Sequence, residues 1–184
     1  MTTLIRSIEE EFRRYKALAE GALKQVPEER LSVAGLGGGN SLAVIVWHVS
    51  GNLRSRFTDF LTTDGEKQWR KRDEEFEARS VTRGELLQKW NEGWDALLGT
   101  LAVLKDEDLQ KTVTIRGQGL AVHEALHRSL AHTSYHVGQL VYLAHAFVGT
   151  EWTYLSIPPG GSGAYNADPK MEKPGAHAAK VGAK

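Results

Sequence analysis

His132 and His136 are the residues of this sequence whose types and spacing most directly suggest chemistry. They stand four residues apart in Leu120–Val148, a stretch with the periodicity of an amphipathic helix that carries five of the seven histidines. On an α-helix, side chains four residues apart leave from the same side. Two neutral imidazoles placed in this way can bind one divalent metal ion. The spacing therefore favours a metal site on this predicted helix.

A third ligand for such an ion has to come from another part of the chain. His48 is the one histidine outside the long helix and the tail, and it lies in the apolar run LAVIVWHV. A buried imidazole needs partners for its ring nitrogens, and a backbone carbonyl is a common one. Together with His132 and His136, however, His48 completes the most economical site of three nitrogen ligands.

The long helix carries a second histidine pair, His123 and His127, on a different side. At about 100° per residue, His132 and His136 border one edge of the apolar arc, and the second pair lies beyond the other edge. A solvated surface position is the more ordinary interpretation of His123 and His127. We therefore predict that at most one of the two pairs forms a site.

A site of three histidines leaves at least one coordination position for water or substrate, as catalytic metal sites do and closed structural sites do not. A bound ion lowers the pKa of water or polarises a substrate atom. Because the sequence has no cysteine, every protein ligand has to be nitrogen or oxygen. Asn52, one helical turn from His48, and Gln139 are candidate assisting groups, and no catalytic residue is assigned.

Four segments with the helical period would position these residues, which predicts an all-α fold. They cover about residues 4–22, 41–61, 82–104 and 120–148. Asn40 or Ser41 is the expected N-cap of the second helix, and Thr82 and Glu85 form a capping box for the third. Gly149 is the expected end of the fourth helix.

Two connecting segments give further signals. Residues 64–79 are dense in charge, and a solvated crossover with at most a short helix is favoured over a binding patch. Thr112–Ile115 alternates between polar and apolar residues and leads into Gly117, which predicts a small hairpin before the last helix.

The tail divides into two parts. Its first part is too apolar for a free tail and is expected to pack back on the bundle through Trp152, Tyr154, Leu155, Ile157 and Tyr165. Residues 168–184 are rich in Lys, Gly, Ala and Pro, and this composition predicts disorder. One domain over residues 1–167 is therefore expected.

The overall composition is that of a globular protein, with 184 residues and equal numbers, 23 each, of basic and acidic residues. No basic stripe is present, so nucleic acid is disfavoured as a partner. The N-terminus lacks the apolar core of a signal peptide, and no window reaches the ~18 apolar residues of a membrane span. We therefore expect a cytoplasmic protein without a membrane partner.

The motifs AHTSYHVGQLVYLA and IVWHVSGN, together with the four helical patterns, resemble the DinB-like (DinB/YfiT) superfamily of metal-dependent bacterial proteins. The stretch HEALHRSLAHTSYHVGQ and the later WTYLSIPPGGSGAYN are similar to a branch of that superfamily without an assigned function. The resemblance covers most of residues 1–167. It implies a four-helix bundle in up-down-down-up order, commonly a homodimer.

The resemblance also implies a divalent ion, such as nickel or zinc, on one histidine of the second helix and the pair of the last. These positions correspond to His48, His132 and His136. Some superfamily members are transferases or isomerases that use low-molecular-weight thiols, and others have no known activity. No motif in this chain identifies a thiol.

Three hypotheses about function follow. The first is a metal-dependent enzyme, either a hydrolase that activates water or an S-transferase that activates a low-molecular-weight thiol. The second is a non-enzymatic, stress-related dimer with a structural or vestigial metal site. An enzyme should leave the site open to a cavity with polar groups, whereas a structural site should be sealed. The third, a bundle without metal, requires His132 and His136 to point into solvent.

Overall fold

The computed structural model describes residues 3–183, and its four long helices form the predicted all-α bundle. The helices are α1 (Thr3–Gln25), α2 (Leu42–Phe57), α3 (Arg83–Val103) and α4 (Val122–Val148). Among these four, α1 packs mainly on α4, and α2 packs mainly on α3 and also contacts α4. Within residues 3–183, none of the helices combines the length and the apolar character needed to cross a membrane.

The helix termini follow local sequence signals. The Ser41 side chain accepts a hydrogen bond from the amide of Val44 and caps α2, as predicted. Thr82 and Glu85 form the predicted reciprocal capping box at the start of α3. Helix α2 ends at Phe57, earlier than predicted, and the chain then turns through a positive φ of 48° at residue 59.

The predicted hairpin precedes α4 and consists of β1 (Thr112–Ile115) and β2 (Gln118–Ala121), which pair antiparallel. Its two-residue turn has positive φ at both Arg116 and Gly117, as tight hairpin turns require. The carboxylate of Asp64 accepts hydrogen bonds from the backbone amides of Arg116 (2.8 Å) and Gly117 (2.7 Å). The loop after α2 therefore fixes the hairpin in place beside α2 and α4.

Helices α2 and α3 approach each other closely at one glycine. A Cβ atom on Gly93 would lie 2.6 Å from the Cα atom of Ser50, so only glycine fits at this crossing. The Ser50 hydroxyl donates to the carbonyl of Lys89 at the same place. Because Ser50 lies two residues from His48, this contact also sets the position of that histidine.

The apolar segment after α4 returns to the bundle in part. Trp152 and Leu155 are buried, as predicted, whereas Tyr154 and Ile157 remain more than a third exposed. A short helix, α5 (Ser162–Ala167), follows.

Composition predicts disorder for residues 168–184, whereas the structure has a helix, α6 (Pro174–Gly182), that packs on α1. Val181 is only 3% exposed, and Nε2 of His177 donates to the carbonyl of Leu155 across 2.9 Å. Helix α6 lies close to α1 because α1 has a glycine at the contact: a Cβ atom on Gly21 would be 2.7 Å from the side chain of Val181. The average composition of residues 168–184 does not predict this packing, because it depends on small residues on both helices.

Candidate metal centre

His48 of α2 and the pair His132 and His136 of α4 meet inside the bundle. One possible ligand atom from each residue lies within 4.8 Å of the other two. The Nε2 atoms of His48 and His132 face each other at 3.2 Å. The hypothesis that the α4 pair points into solvent is therefore wrong, and the structure brings together the three histidines that the sequence selected.

His48 is held by a carboxylate that the sequence did not reveal. Its Nδ1 atom lies 2.9 Å from Oε2 of Glu75, so Nδ1 carries the proton and donates to the carboxylate. This leaves the lone pair of Nε2 directed at the other imidazoles. A carboxylate behind an imidazole is the usual partner of a metal-binding histidine, because it fixes the tautomer and raises the basicity of the ring.

Glu75 is itself held by a buried arginine. Arg70, whose side chain is 2% exposed, donates from Nε to Oε1 (2.8 Å) and from Nη2 to Oε2 (2.9 Å). Burial raises the pKa of Glu75, but the hydrogen bonds from His48 and Arg70 outweigh it and lower the pKa overall. The carboxylate is therefore ionised at neutral pH.

The sequence pattern favours a solvated crossover for residues 64–79, and this interpretation is wrong for the part around Glu75. A short 3-10 helix, Asp73–Phe76, buries Glu75, and the Phe76 ring lies 4.7 Å from that of His48. In the sequence, Glu75 resembles its exposed neighbours. The one hint of a close contact in the sequence is a glycine inside α2, Gly51, one turn after His48. A Cβ atom at Gly51 would lie 2.7 Å from Cδ of Glu75, so the glycine makes room for the carboxylate.

His136 is oriented by a residue of its own helix. Its Nδ1 atom lies 2.9 Å from Oε1 of Gln139, so Nδ1 donates to the amide oxygen and Nε2 remains for another partner. Gln139, predicted as an assisting group, thus orients an imidazole.

His132 has the least satisfied imidazole of the three. Its Nδ1 atom is buried and has no hydrogen-bond partner among residues 3–183. Burial, with smaller contributions from His136, His48 and nearby arginines, lowers its pKa from 6.5 to about 3. Burial and His48 also lower the pKa of His136. Metal ligands have to be deprotonated, so imidazoles that stay neutral fit a divalent cation.

A family model described as "Protein of unknown function (DUF1572)" matches residues 1–161. The chain belongs to this family. Comparison with curated proteins and with solved structures gave no match. The matched range of the DUF1572 chain contains the three histidines and Glu75, and it ends before α6.

The other histidine pair of the DUF1572 chain lies outside the cluster. Nδ1 of His123 lies 3.0 Å from the carbonyl oxygen of Leu109, to which it can donate. His127 is exposed. The two rings are 6.2 Å apart, and neither residue belongs to the three-histidine group.

A cavity of about 210 Å³ opens beside the histidine cluster, and His48 and His132 form part of its wall. Asn52, the other predicted assisting group, and Ser129 line the same cavity. The hairpin closes one side through Val113 and Ile115. The arrangement offers a ligand both the imidazole nitrogens and a polar wall.

Proposed function

We propose that this chain binds one divalent metal ion through His48, His132 and His136 and is a metal-dependent enzyme of the DinB-like superfamily. The observation that carries the proposal is the cavity that opens on His48 and His132. A structural metal site would be sealed by protein on every side. The polar wall beside the imidazoles supports the enzymatic hypothesis over a structural or vestigial site.

The chain's own residues support metal binding in defined roles. Glu75 keeps the proton of His48 on Nδ1, and Arg70 keeps Glu75 ionised. The side-chain oxygen of Gln139 accepts a hydrogen bond from Nδ1 of His136, which leaves Nε2 of His136 free to bind a metal ion. All three imidazoles can therefore present Nε2 in the neutral form that a metal ligand requires.

A bound nickel or zinc ion would lower the pKa of a water molecule or of a low-molecular-weight thiol and thereby supply a nucleophile at neutral pH. These two possibilities correspond to a hydrolase and an S-transferase. Asn52 lines the cavity and can hydrogen-bond to a substrate, and the apolar residues around it limit the access of bulk water.

We further propose that the protein is a homodimer, as the resemblance implies. Tyr135 and Tyr142 are exposed on α4, seven residues apart and thus on one side of the helix. Light scattering on the full chain measures the mass in solution and tests this proposal. The cytoplasmic location stays a prediction.

The metal site is tested by elemental mass spectrometry on untagged protein purified without a metal column. We expect about one equivalent of nickel or zinc in the parent and none in His132→Ala/His136→Ala, because loss of two of three ligands leaves an incomplete site. His123→Ala/His127→Ala is the matched control, since it removes a pair with the same spacing on the same helix. Equal metal content in the parent and His132→Ala/His136→Ala would refute the site.

The enzymatic hypothesis is tested on the metal-loaded protein with panels of hydrolysable esters and amides, and of thiols with electrophiles. Turnover by the parent and by His123→Ala/His127→Ala, but not by His132→Ala/His136→Ala, would support it. A stoichiometric metal without turnover on any panel would favour the non-enzymatic alternative.

A further inference from the structure

Five arginines line the cavity that opens on the histidine cluster. They come from four separate parts of the chain: Arg56, Arg70 and Arg72, Arg116, and Arg128. Among the lining residues, all within the described range 3–183, there is no aspartate or glutamate. A small cavity with more guanidinium groups than neighbouring carboxylates favours a negatively charged ligand.

Two of these arginines share a single carboxylate. Arg56 lies 3.2 Å and Arg116 3.0 Å from Oε2 of Glu66. One negative charge therefore compensates two guanidinium groups, and a net positive charge remains on this side of the cavity.

The other arginines retain free hydrogen-bonding capacity. Arg70 gives two donors to Glu75, but its Nη1 atom is buried and has no partner among the described residues. Arg128 is exposed on α4 and makes no ion pair or hydrogen bond within residues 3–183. The guanidinium of Arg72 lies 3.6 Å from Asp73 and over the ring of Phe76, and it makes no hydrogen bond within residues 3–183. The buried hydroxyl of Ser129 also has no partner in this part of the chain.

Part of the cavity wall is apolar. It includes the rings of Phe57 and Phe60 and the side chains of Val113, Ile115 and Ala125. Such a wall accommodates the apolar body of a ligand, while a guanidinium group binds planar or tetrahedral oxyanions through two parallel hydrogen bonds.

We propose that this cavity binds a small organic oxyanion, a carboxylate or phosphate attached to an apolar body, with the oxyanion at the arginines and the body against Phe57 and Phe60. The ligand is a substrate if the proposed enzymatic function holds, and in that respect the inference rests on that function. Anion binding itself depends on the arginines and not on the metal. The histidine cluster adjoins the same cavity, so a ligand held by the arginines lies beside it.

The probes for this inference are phenyl phosphate, benzoate and the neutral benzamide, titrated by calorimetry into the full chain. Both the metal-loaded and the chelator-treated protein are used. We expect at least one anion to bind both forms about tenfold or more tightly than benzamide does, because each charge-assisted contact contributes about a factor of ten. A preference for phenyl phosphate identifies a phosphate ligand, and a preference for benzoate identifies a carboxylate.

The key variant is Arg128→Gln, since this exposed side chain supports no described contact and its loss should leave the fold intact. We expect anion affinity to fall about tenfold, whereas the metal content stays unchanged. Arg128→Lys should recover part of the affinity, because it keeps the charge and loses the planar pair of donors. Arg13→Gln, on the exposed face of α1, is the control and should bind like the parent.

The inference is overturned if benzamide binds as tightly as both anions, or if neither anion binds at millimolar concentration. It is also overturned if anions bind only the metal-loaded protein and Arg128→Gln binds like the parent, because the metal alone would then hold the anion. Anion binding by a chain that takes up no metal would leave this inference standing while the metal-dependent function fails.

Discussion

Oε2 of Glu75 lies 2.9 Å from Nδ1 of His48, although the two residues belong to different segments and are 27 positions apart. The contact fixes which nitrogen of His48 faces His132 and His136. It also links the candidate metal centre to Arg70, which lines the neighbouring cavity. One carboxylate thus connects the candidate metal ligands to the arginines at which we propose that an anion binds.

Replacement of Glu75 should weaken metal binding without removing a ligand. In Glu75→Gln the charge behind His48 is lost, and we expect zinc or nickel affinity to fall about 10–100-fold. Competition with a chromophoric chelator measures this affinity. Glu74→Gln is the matched control, because Glu74 is exposed and its ion pair is with Lys71. Equal affinity in Glu75→Gln and Glu74→Gln would mean that the carboxylate does not support the site.

The metal-free protein should lose stability in acid through His132. Its pKa is about 3 in the folded chain against an ordinary value of 6.5. The unfolded chain therefore binds more protons between these values, and stability falls as the pH drops from 6.5 toward 3. We expect the urea midpoint to decrease between neutral pH and pH 5, and to decrease less in His132→Asn. An equal pH dependence in both proteins would assign the effect to other groups.

Gly51 is expected to act on the site more than on the fold. In Gly51→Ala the new Cβ would overlap the carboxylate of Glu75, which is the end of a side chain and can move away from His48. We expect metal affinity to fall roughly tenfold or more as that support is lost. The free energy of unfolding should change little, because the helix propensity of alanine, about 1 kcal/mol better than that of glycine, offsets the weakened contact between Glu75 and buried Arg70. Unchanged metal affinity would contradict the role assigned to Glu75.

The helices and the histidine cluster were predictable because their signals are local. Apolar periodicity defined the four helices, and the spacing of His132 and His136 placed both imidazoles at one edge of the apolar face. Glu75 was not predictable, because its burial depends on how residues 64–79 fold over α2, and neighbouring glutamates look alike in the sequence. The helix at 174–182 was missed for a related reason, since its packing depends on a glycine far away in α1.

Gly93 should show the opposite behaviour from Gly51. A Cβ atom added to Gly93 would lie 2.6 Å from the Cα atom of Ser50, and the backbone cannot move aside as the end of a side chain can. In Gly93→Ala, separation of α2 from α3 should cost about 1–3 kcal/mol of unfolding free energy, partly offset by helix propensity. Gly99→Ala, on the same helix with no atom within 4 Å of the new Cβ, should instead stabilise the protein by about 0.5–1 kcal/mol. Urea denaturation of both variants measures the difference, and equal stabilities would show that the crossing of α2 and α3 tolerates a methyl group.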